Sequence, residues 1–163
     1  MEIKYLGHSA FEIETGGKKI LIDPFLACVP DYKPENIYDI FVTHAHGDHL
    51  GSAIEISQNS GAPITAVYEL ANYCAKKGAK TNDIGLGSWC EYSWGRADAV
   101  PAFHSSSTPD GIYGGCPCGF IFEIEGKTIY HAGDTSLNSE MKMIGEIYQP
   151  DVAMLPIGGK YTM

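Results

Sequence analysis

The 163-residue sequence has no apolar run long enough to cross a bilayer, and it has no basic N-terminal segment followed by an apolar core. These absences argue against a transmembrane helix and a secretion signal, so we expect a cytoplasmic protein. Basic residues are also few, since 11 Lys and Arg stand against 20 Asp and Glu for a net charge of −9. This balance argues against a nucleic-acid surface and against docking on anionic lipid.

Cysteine offers no disulfide framework, because the five cysteines are odd in number and irregularly spaced. We therefore expect reduced thiols. Cys116 and Cys118 are one residue too close for a CxxC pair. We expect them to be ordinary loop residues, with a metal role as the alternative.

Histidine is concentrated in one place. Three of the six histidines and a carboxylate form the run His44-Ala45-His46-Gly47-Asp48-His49. On an extended strand end, His44 and His46 point the same way, and Gly47 lets the chain turn. Asp48 and His49 then begin a helix and cannot easily share one metal with the first pair. The run indicates two adjacent metals, since a structural role would need partners for three imidazoles and an anion at once.

The pattern of predicted strands and helices indicates a layered α/β fold, a sandwich of two mixed sheets with helices outside. We expect one domain over 1–163. Residues 26–37 and 104–118 are expected to be loops that shape a pocket. The predicted strands are 11–15, 18–22, 39–43, 63–67, 90–94, 97–103, 120–124, 128–130 and 151–155, the last of them buried, and the predicted helices are 48–59, 68–77 and 137–148.

Two more candidate ligands stand at strand-to-loop junctions, as His44 does. His104 follows the run 99–103, and Asp134 follows the strand that ends near Tyr130. Ligands at the ends of several rigid strands can converge on one sheet edge.

With these residues, the chain resembles the metallo-β-lactamase superfamily, whose signature is HxHxDH followed by a distant His, an Asp and a final His. It is most similar to a branch known as metal-dependent hydrolases, with sugar-phosphate lactonases as more distant relatives. The matching stretches are 6–11, 21–25, 42–48, 102–107, 129–135 and 155–159.

The resemblance implies an αββα sandwich and two divalent metal ions. His44, His46 and His104 would bind the first metal, Asp48 and His49 the second, and Asp134 would bridge them. Zinc is the favoured ion, with manganese, iron and nickel as alternatives. A shared hydroxide would then cleave a small ester, lactone or phosphoester.

Other residues receive supporting or catalytic roles with open alternatives. Asp48 is a candidate for guiding protons, and His8 for contacting substrate, against a core hydrogen bond. Asp23 is a candidate partner for a metal-bound histidine, against a plain turn residue. His131 and Thr135 flank Asp134, where His131 either orients that ligand or simply packs.

The family pattern continues beyond the last residues of this chain, through a helix and a strand that carries the final His. We therefore expect the second metal to lack one ligand and to bind more weakly than the first. Three explanations for the missing part of the pattern stay open: a shortened gene, a proteolytic fragment, and a chain that another polypeptide completes. An uncovered edge near 152–155 favours self-association, so a homo-oligomer or a complementing C-terminal segment is the expected partner.

The leading functional hypothesis is a metal-dependent hydrolase with a small-molecule substrate. The second is a metal-binding or regulatory module without catalysis, or an inactive fragment, because the last ligand is absent. A superfamily nuclease is disfavoured by the acidic charge.

Overall fold

The computed structural model describes all 163 residues and contains two β-sheets, with two helices packed on the first sheet and one on the second. The first sheet has six strands in sequence order, antiparallel from β1 to β3 and parallel from β3 to β6. Its strands are β1 Glu2–Gly7, β2 Ala10–Thr15, β3 Lys18–Ile22, β4 Ile37–Phe41, β5 Ile64–Ala66 and β6 Thr81–Asp83.

The second sheet has five strands in the order β11-β10-β9-β8-β7. It is antiparallel except for the parallel pair of β10 and β11 at one edge. Its strands are β7 Trp89–Tyr92, β8 Gly95–Pro101, β9 Cys118–Ile124, β10 Lys127–His131 and β11 Val152–Met154.

Aromatic side chains join the two sheets. Phe41 of β4 is fully buried, and its ring centroid lies 5.1 Å from that of Phe120 and 4.9 Å from that of Phe122, both on β9. Edge-to-face contacts of this kind add to the free energy of burying the rings. The main core therefore lies between the sheets and fixes the distance between their ends.

Helices complete the layers. Two of them, α2 Ala53–Ser60 and α3 Tyr68–Lys76, pack against β4, β5 and β6. On the second sheet, α4 Glu140–Tyr148 buries Ile144 against Val100 and Ile121. This arrangement confirms the predicted sandwich. None of the helices is long and apolar enough to span a membrane.

The predicted helix over 48–59 is two helices. The short α1, Gly47–Leu50, ends where Gly51 takes a φ of +43°, and α2 follows. The cause is close contact with the chain after β3, because the Ser52 N–H donates to the Pro24 carbonyl oxygen at 3.0 Å. A Cβ on Gly51 would lie 2.5 Å from that same oxygen. The break therefore places α1 directly over the turn that contains Asp23.

Three further expectations differ from the structure. The strand at 151–155 is shorter and only partly buried, since Met154 is buried whereas Val152 is 40% and Leu155 42% exposed, because β11 is an edge strand paired only with β10. Cys118 is a buried residue of β9 rather than a loop residue, whereas Cys116 is exposed. The strands β1 and β6 are absent from the sequence prediction, and β6 has only three residues, too few to show a period. All five cysteines are unpaired, as expected.

Gly51→Ala should lower the free energy of unfolding by about 1–3 kcal/mol, because alanine combines a disfavoured positive φ with a clash against Pro24. Gly145→Ala is the matched control, since Gly145 lies inside α4 and has open space where the methyl group of alanine would stand. That change should raise the free energy of unfolding by about 0.5–1 kcal/mol. Urea unfolding of both variants measures the difference, and equal effects of the two would contradict this explanation of the helix break.

Candidate metal centre

Five of the six histidines converge at one end of the two sheets. His44, His46 and His49 come from the segment that follows β4, and the rings of His44 and His49 lie 4.1 Å apart. His104 follows β8, and its ring centroid is 5.0 Å from that of His44 and 5.1 Å from that of His46. The turn between β1 and β2 brings His8 to 5.3 Å from His49. The structure therefore assembles the histidines that the sequence pattern grouped.

Asp23 lies beneath this cluster and is fully buried. Its Oδ1 accepts the backbone N–H of Thr43 at 2.8 Å, and its Oδ2 accepts the Thr43 hydroxyl at 2.7 Å. The same Oδ2 lies 2.7 Å from Nδ1 of His49. Because a carboxylate accepts, Nδ1 of His49 must donate, which leaves Nε2 to face the cluster. Asp23 therefore occupies the position expected for a carboxylate that orients a ligand.

The hydroxyl of Thr43 extends this control to a second histidine. It donates to Asp23 and so accepts from Nδ1 of His44, at 3.1 Å. Nε2 of His44 then faces the cluster and lies 2.9 Å from Nδ1 of His46. The orientation of both buried histidines, His44 and His49, thus depends on one carboxylate.

The charges of this network are set by burial and by the carboxylates. Burial opposes a charge on His49, but Asp23 and Asp134 outweigh it and raise the pKa of His49 to about 10. Burial, together with the neighbouring His49, lowers the pKa of His44 to about 3. Burial also acts against the Asp23 anion, but His49 outweighs it and lowers the pKa of Asp23 to about 2. The carboxylates of Asp23 and Asp134 therefore favour a positive charge at the position of His49.

Asp134 lies between the two halves of the cluster. Its Oδ2 is 3.4 Å from Nε2 of His49 and 3.6 Å from Nε2 of His104. Burial favours the neutral acid, yet His49 and the other histidines lower the pKa of Asp134 below its usual value. The structure thus places the Asp134 carboxylate within 3.6 Å of both His49 and His104.

The potential ligand atoms form three overlapping groups, in each of which all atoms lie within 4.8 Å of one another. The groups are His44, His46 and His104; His44, His49 and Asp134; and His8, Asp48 and His49. His49 Nε2 is buried and has no hydrogen-bond partner. A buried polar atom without a hydrogen-bond partner in the protein is rare unless an ion or a water molecule binds to it. Imidazole and carboxylate groups suit a divalent cation, so these residues fit a metal centre.

The other supporting candidates have defined contacts. His131 is buried, with Nε2 2.9 Å from the Ser9 carbonyl oxygen, while Nδ1 accepts the Gly133 N–H at 3.2 Å. It thereby holds the turn that leads into Asp134. Thr135 is buried too, and its hydroxyl oxygen accepts the Phe103 N–H at 2.9 Å, which ties the Asp134 segment to the His104 segment.

His8 and Asp48 lie at the solvent side of the cluster. Nε2 of His8 is 3.1 Å from Oδ2 of Asp48, and the two side chains are 39% and 47% exposed. His8 therefore does not make the core hydrogen bond that was its alternative.

One supporting residue was not identified from the sequence. Thr43 links Asp23 to His44. Thr43 directly precedes the histidine run, but its partner Asp23 is 20 residues away. Periodicity within a short segment cannot predict such a distant contact. It could have been predicted only from the parallel pairing of β3 and β4, which aligns the ends of the two strands.

A cleft of about 930 Å³ opens over the cluster. Its walls come from the turn between β1 and β2 and from the segment after β11, and they include Tyr5, Phe11, Leu155 and Ile157. The expectation that residues 26–37 shape this pocket is wrong, because Leu26 and Pro34 line a separate cavity beside α2. From 104–118, only His104 and Ser105 reach the cleft.

Comparisons with known proteins agree with this geometry over the whole chain. The family model of the β-lactamase superfamily domain matches residues 2–163. A UPF0173 metal-dependent hydrolase of Thermococcus kodakarensis is 50% identical over 174 aligned positions, which cover 100% of this chain and 75% of that protein. A UPF0173 metal-dependent hydrolase of Bacillus cereus is 44% identical, with coverage of 100% and 76%.

Among solved structures, Igni18, described as a novel metallo hydrolase from the hyperthermophilic archaeon Ignicoccus hospitalis, superposes with a TM-score of 0.86 at 38% identity. The match covers 99% of this chain and 72% of that one. The chain thus spans about three quarters of the length of the relatives that it matches. The family model, the relatives and the shared fold agree, and the chain belongs to the metallo-β-lactamase superfamily, in the branch whose members are named metal-dependent hydrolases.

Proposed function

We propose that this protein is a metal-dependent hydrolase that uses two divalent cations to cleave a small ester, lactone or phosphoester. The observation that carries the proposal is Nε2 of the buried His49, which makes no hydrogen bond although Oδ2 of Asp134 is 3.4 Å away, and which lies among further imidazole and carboxylate groups. The names of the relatives support hydrolysis as the reaction class. Zinc is the ion that this donor set favours.

In the proposed centre, His44, His46 and His104 would hold the first cation, and Asp48 and His49 would hold the second. The carboxylate of Asp134 would contribute to both positions, as its distances to His49 and His104 allow. A pair of divalent cations, when bound, lowers the pKa of a shared water and polarises the bond that is to break.

The residues of the chain supply orientation and proton transfer. Asp23 and Thr43 hold the Nδ1 atoms of His49 and His44, so that neither imidazole can turn away from the centre. Asp48 is about half exposed, which lets its carboxylate exchange protons between the cleft and solvent. The apolar walls of the cleft, including Tyr5 and Phe11, suit the organic part of a small substrate.

His46→Ala should reduce metal-dependent turnover by about 100-fold or more, since loss of a partner that merely orients a ligand already costs about 10–100-fold. The assay uses p-nitrophenyl acetate and bis(p-nitrophenyl) phosphate, with zinc or manganese added and with chelator. Lys142→Ala on the exposed face of α4 is the control and should keep full activity. Undiminished turnover by His46→Ala would refute the proposal. Tight metal binding without turnover of any substrate would favour a metal-binding or regulatory module instead.

Asp23→Asn should weaken zinc binding by about 10–100-fold, because an amide cannot accept from Thr43 and His49 as a carboxylate does. Asp39→Asn is a matched control, since Asp39 is also buried but accepts from Nε1 of Trp94 at 2.7 Å, away from the centre. It should lower stability and leave zinc affinity unchanged. Competition with a chromophoric chelator measures both affinities, and an equal loss in the two variants would show that Asp23 acts only on folding.

A further inference from the structure

His8 occupies an unusual position in the cluster. It lies in the turn between β1 and β2, whereas the helix α1 that carries Asp48 and His49 follows β4. Its Nε2 is 3.1 Å from Oδ2 of Asp48, and its ring is 5.3 Å from that of His49. His8 is neither a member of the three-histidine group around His44 nor a contact of the bridging carboxylate.

We propose that His8 is the third side-chain ligand of the cation held by Asp48 and His49. The inference extends the proposed function, because it completes the second metal position with a residue from the N-terminal turn. Two imidazoles and one carboxylate form a known ligand set for a catalytic metal that keeps an open position for water or substrate.

The separations between the ligand atoms support this assignment. The candidate atoms of His8, Asp48 and His49 all lie within 4.8 Å of one another. Ligand atoms about 2.1 Å from a tetrahedral cation lie about 3.4 Å apart, close to the 3.1 Å between His8 and Asp48. Only small side-chain movements would bring the three atoms onto one ion.

The chemistry of His49 points in the same direction. Its Nδ1 is fixed by Asp23 at 2.7 Å, so its Nε2 faces the cluster, where it makes no hydrogen bond. His8 and Asp48 approach this atom from the solvent side. A cation bound between these three side chains would supply the interaction that Nε2 of His49 lacks.

The backbone of His8 is held in a costly conformation. Its φ is +53°, in the left-handed region that histidine adopts infrequently. The hydroxyl of Tyr5 donates to the His8 carbonyl oxygen at 3.0 Å, and the ring of Phe25 packs edge-on at 5.7 Å. Such a conformation persists where surrounding contacts enforce it, and these residues cluster at functional sites. The contacts direct the imidazole toward Asp48.

Two variants separate a ligand from a residue that only donates a hydrogen bond to Asp48. His8→Asn tolerates the positive φ and keeps an amide donor, but it lacks the imidazole. His8→Gly relieves the backbone strain and leaves room for imidazole added to the buffer. The measurement is titration of the metal-free chain with Co²⁺, followed by visible absorption and by equilibrium dialysis with elemental analysis. Thermal unfolding of the metal-free proteins checks that both variants are folded.

The parent chain should bind two equivalents of Co²⁺. Both variants should lose at least about 10-fold in affinity for one equivalent and keep the affinity for the other. Imidazole at a concentration on the order of 10 mM should restore the weakened equivalent in His8→Gly and do nothing in His8→Asn, because only the glycine variant leaves room for the ring.

Unchanged affinity for both ions in both variants overturns the inference. So does two-ion binding that His8→Asn retains and His8→Gly loses, because a hydrogen bond to Asp48 would explain it. A parent chain that binds one ion, with an affinity that neither variant changes, leaves His44, His46 and His104 as a working site but refutes a second position completed by His8. A parent chain that binds no ion refutes the proposed function as well.

Discussion

The buried carboxylate of Asp23 is the constraint on which the centre depends. It has no solvent contact, so its charge must be balanced by donors from the protein, and Thr43 and His49 provide them. Through the Thr43 hydroxyl, the same carboxylate also sets which nitrogen of His44 faces His46 and the rest of the cluster. The sheet makes this possible, because β3 and β4 are parallel neighbours whose ends lie side by side, and the Asp23 N–H donates to the Phe41 carbonyl oxygen at 2.9 Å.

The second sheet supplies the other half of the centre, and its placement is a matter of packing. His104 follows β8 and Asp134 follows β10, so both depend on the distance between the two sheets. That distance is set by the aromatic core around Phe41. At the sheet ends, the Cys118 N–H donates to the Thr43 carbonyl oxygen at 3.0 Å, which joins the two layers beside the metal position. A substitution in this core should therefore change the distances between the candidate ligands, even though it replaces none of them.

The sequence predicted the parts of this account that are local. The spacing of the ligand-type residues from His44 to His49 indicated a metal site. The sandwich was predicted from strands and helices whose hydrophobic periods are clear. The role of Asp23 was one of two alternatives, because a carboxylate after a strand serves equally as a turn residue. Thr43 and the break at Gly51 were beyond reach, since each depends on a contact with the distant chain segment that follows β3. The walls of the cleft were also mispredicted, because loop composition does not say which way a loop folds.

The central claim is that these side chains form one centre for two cations. Anomalous X-ray diffraction from crystals grown with zinc, recorded at the zinc absorption edge, tests it most directly. The account predicts two peaks, one among His44, His46 and His104 and one beside His49 and Asp48, with Asp134 between them. Peaks elsewhere on the surface, or no peak near His49, would contradict it.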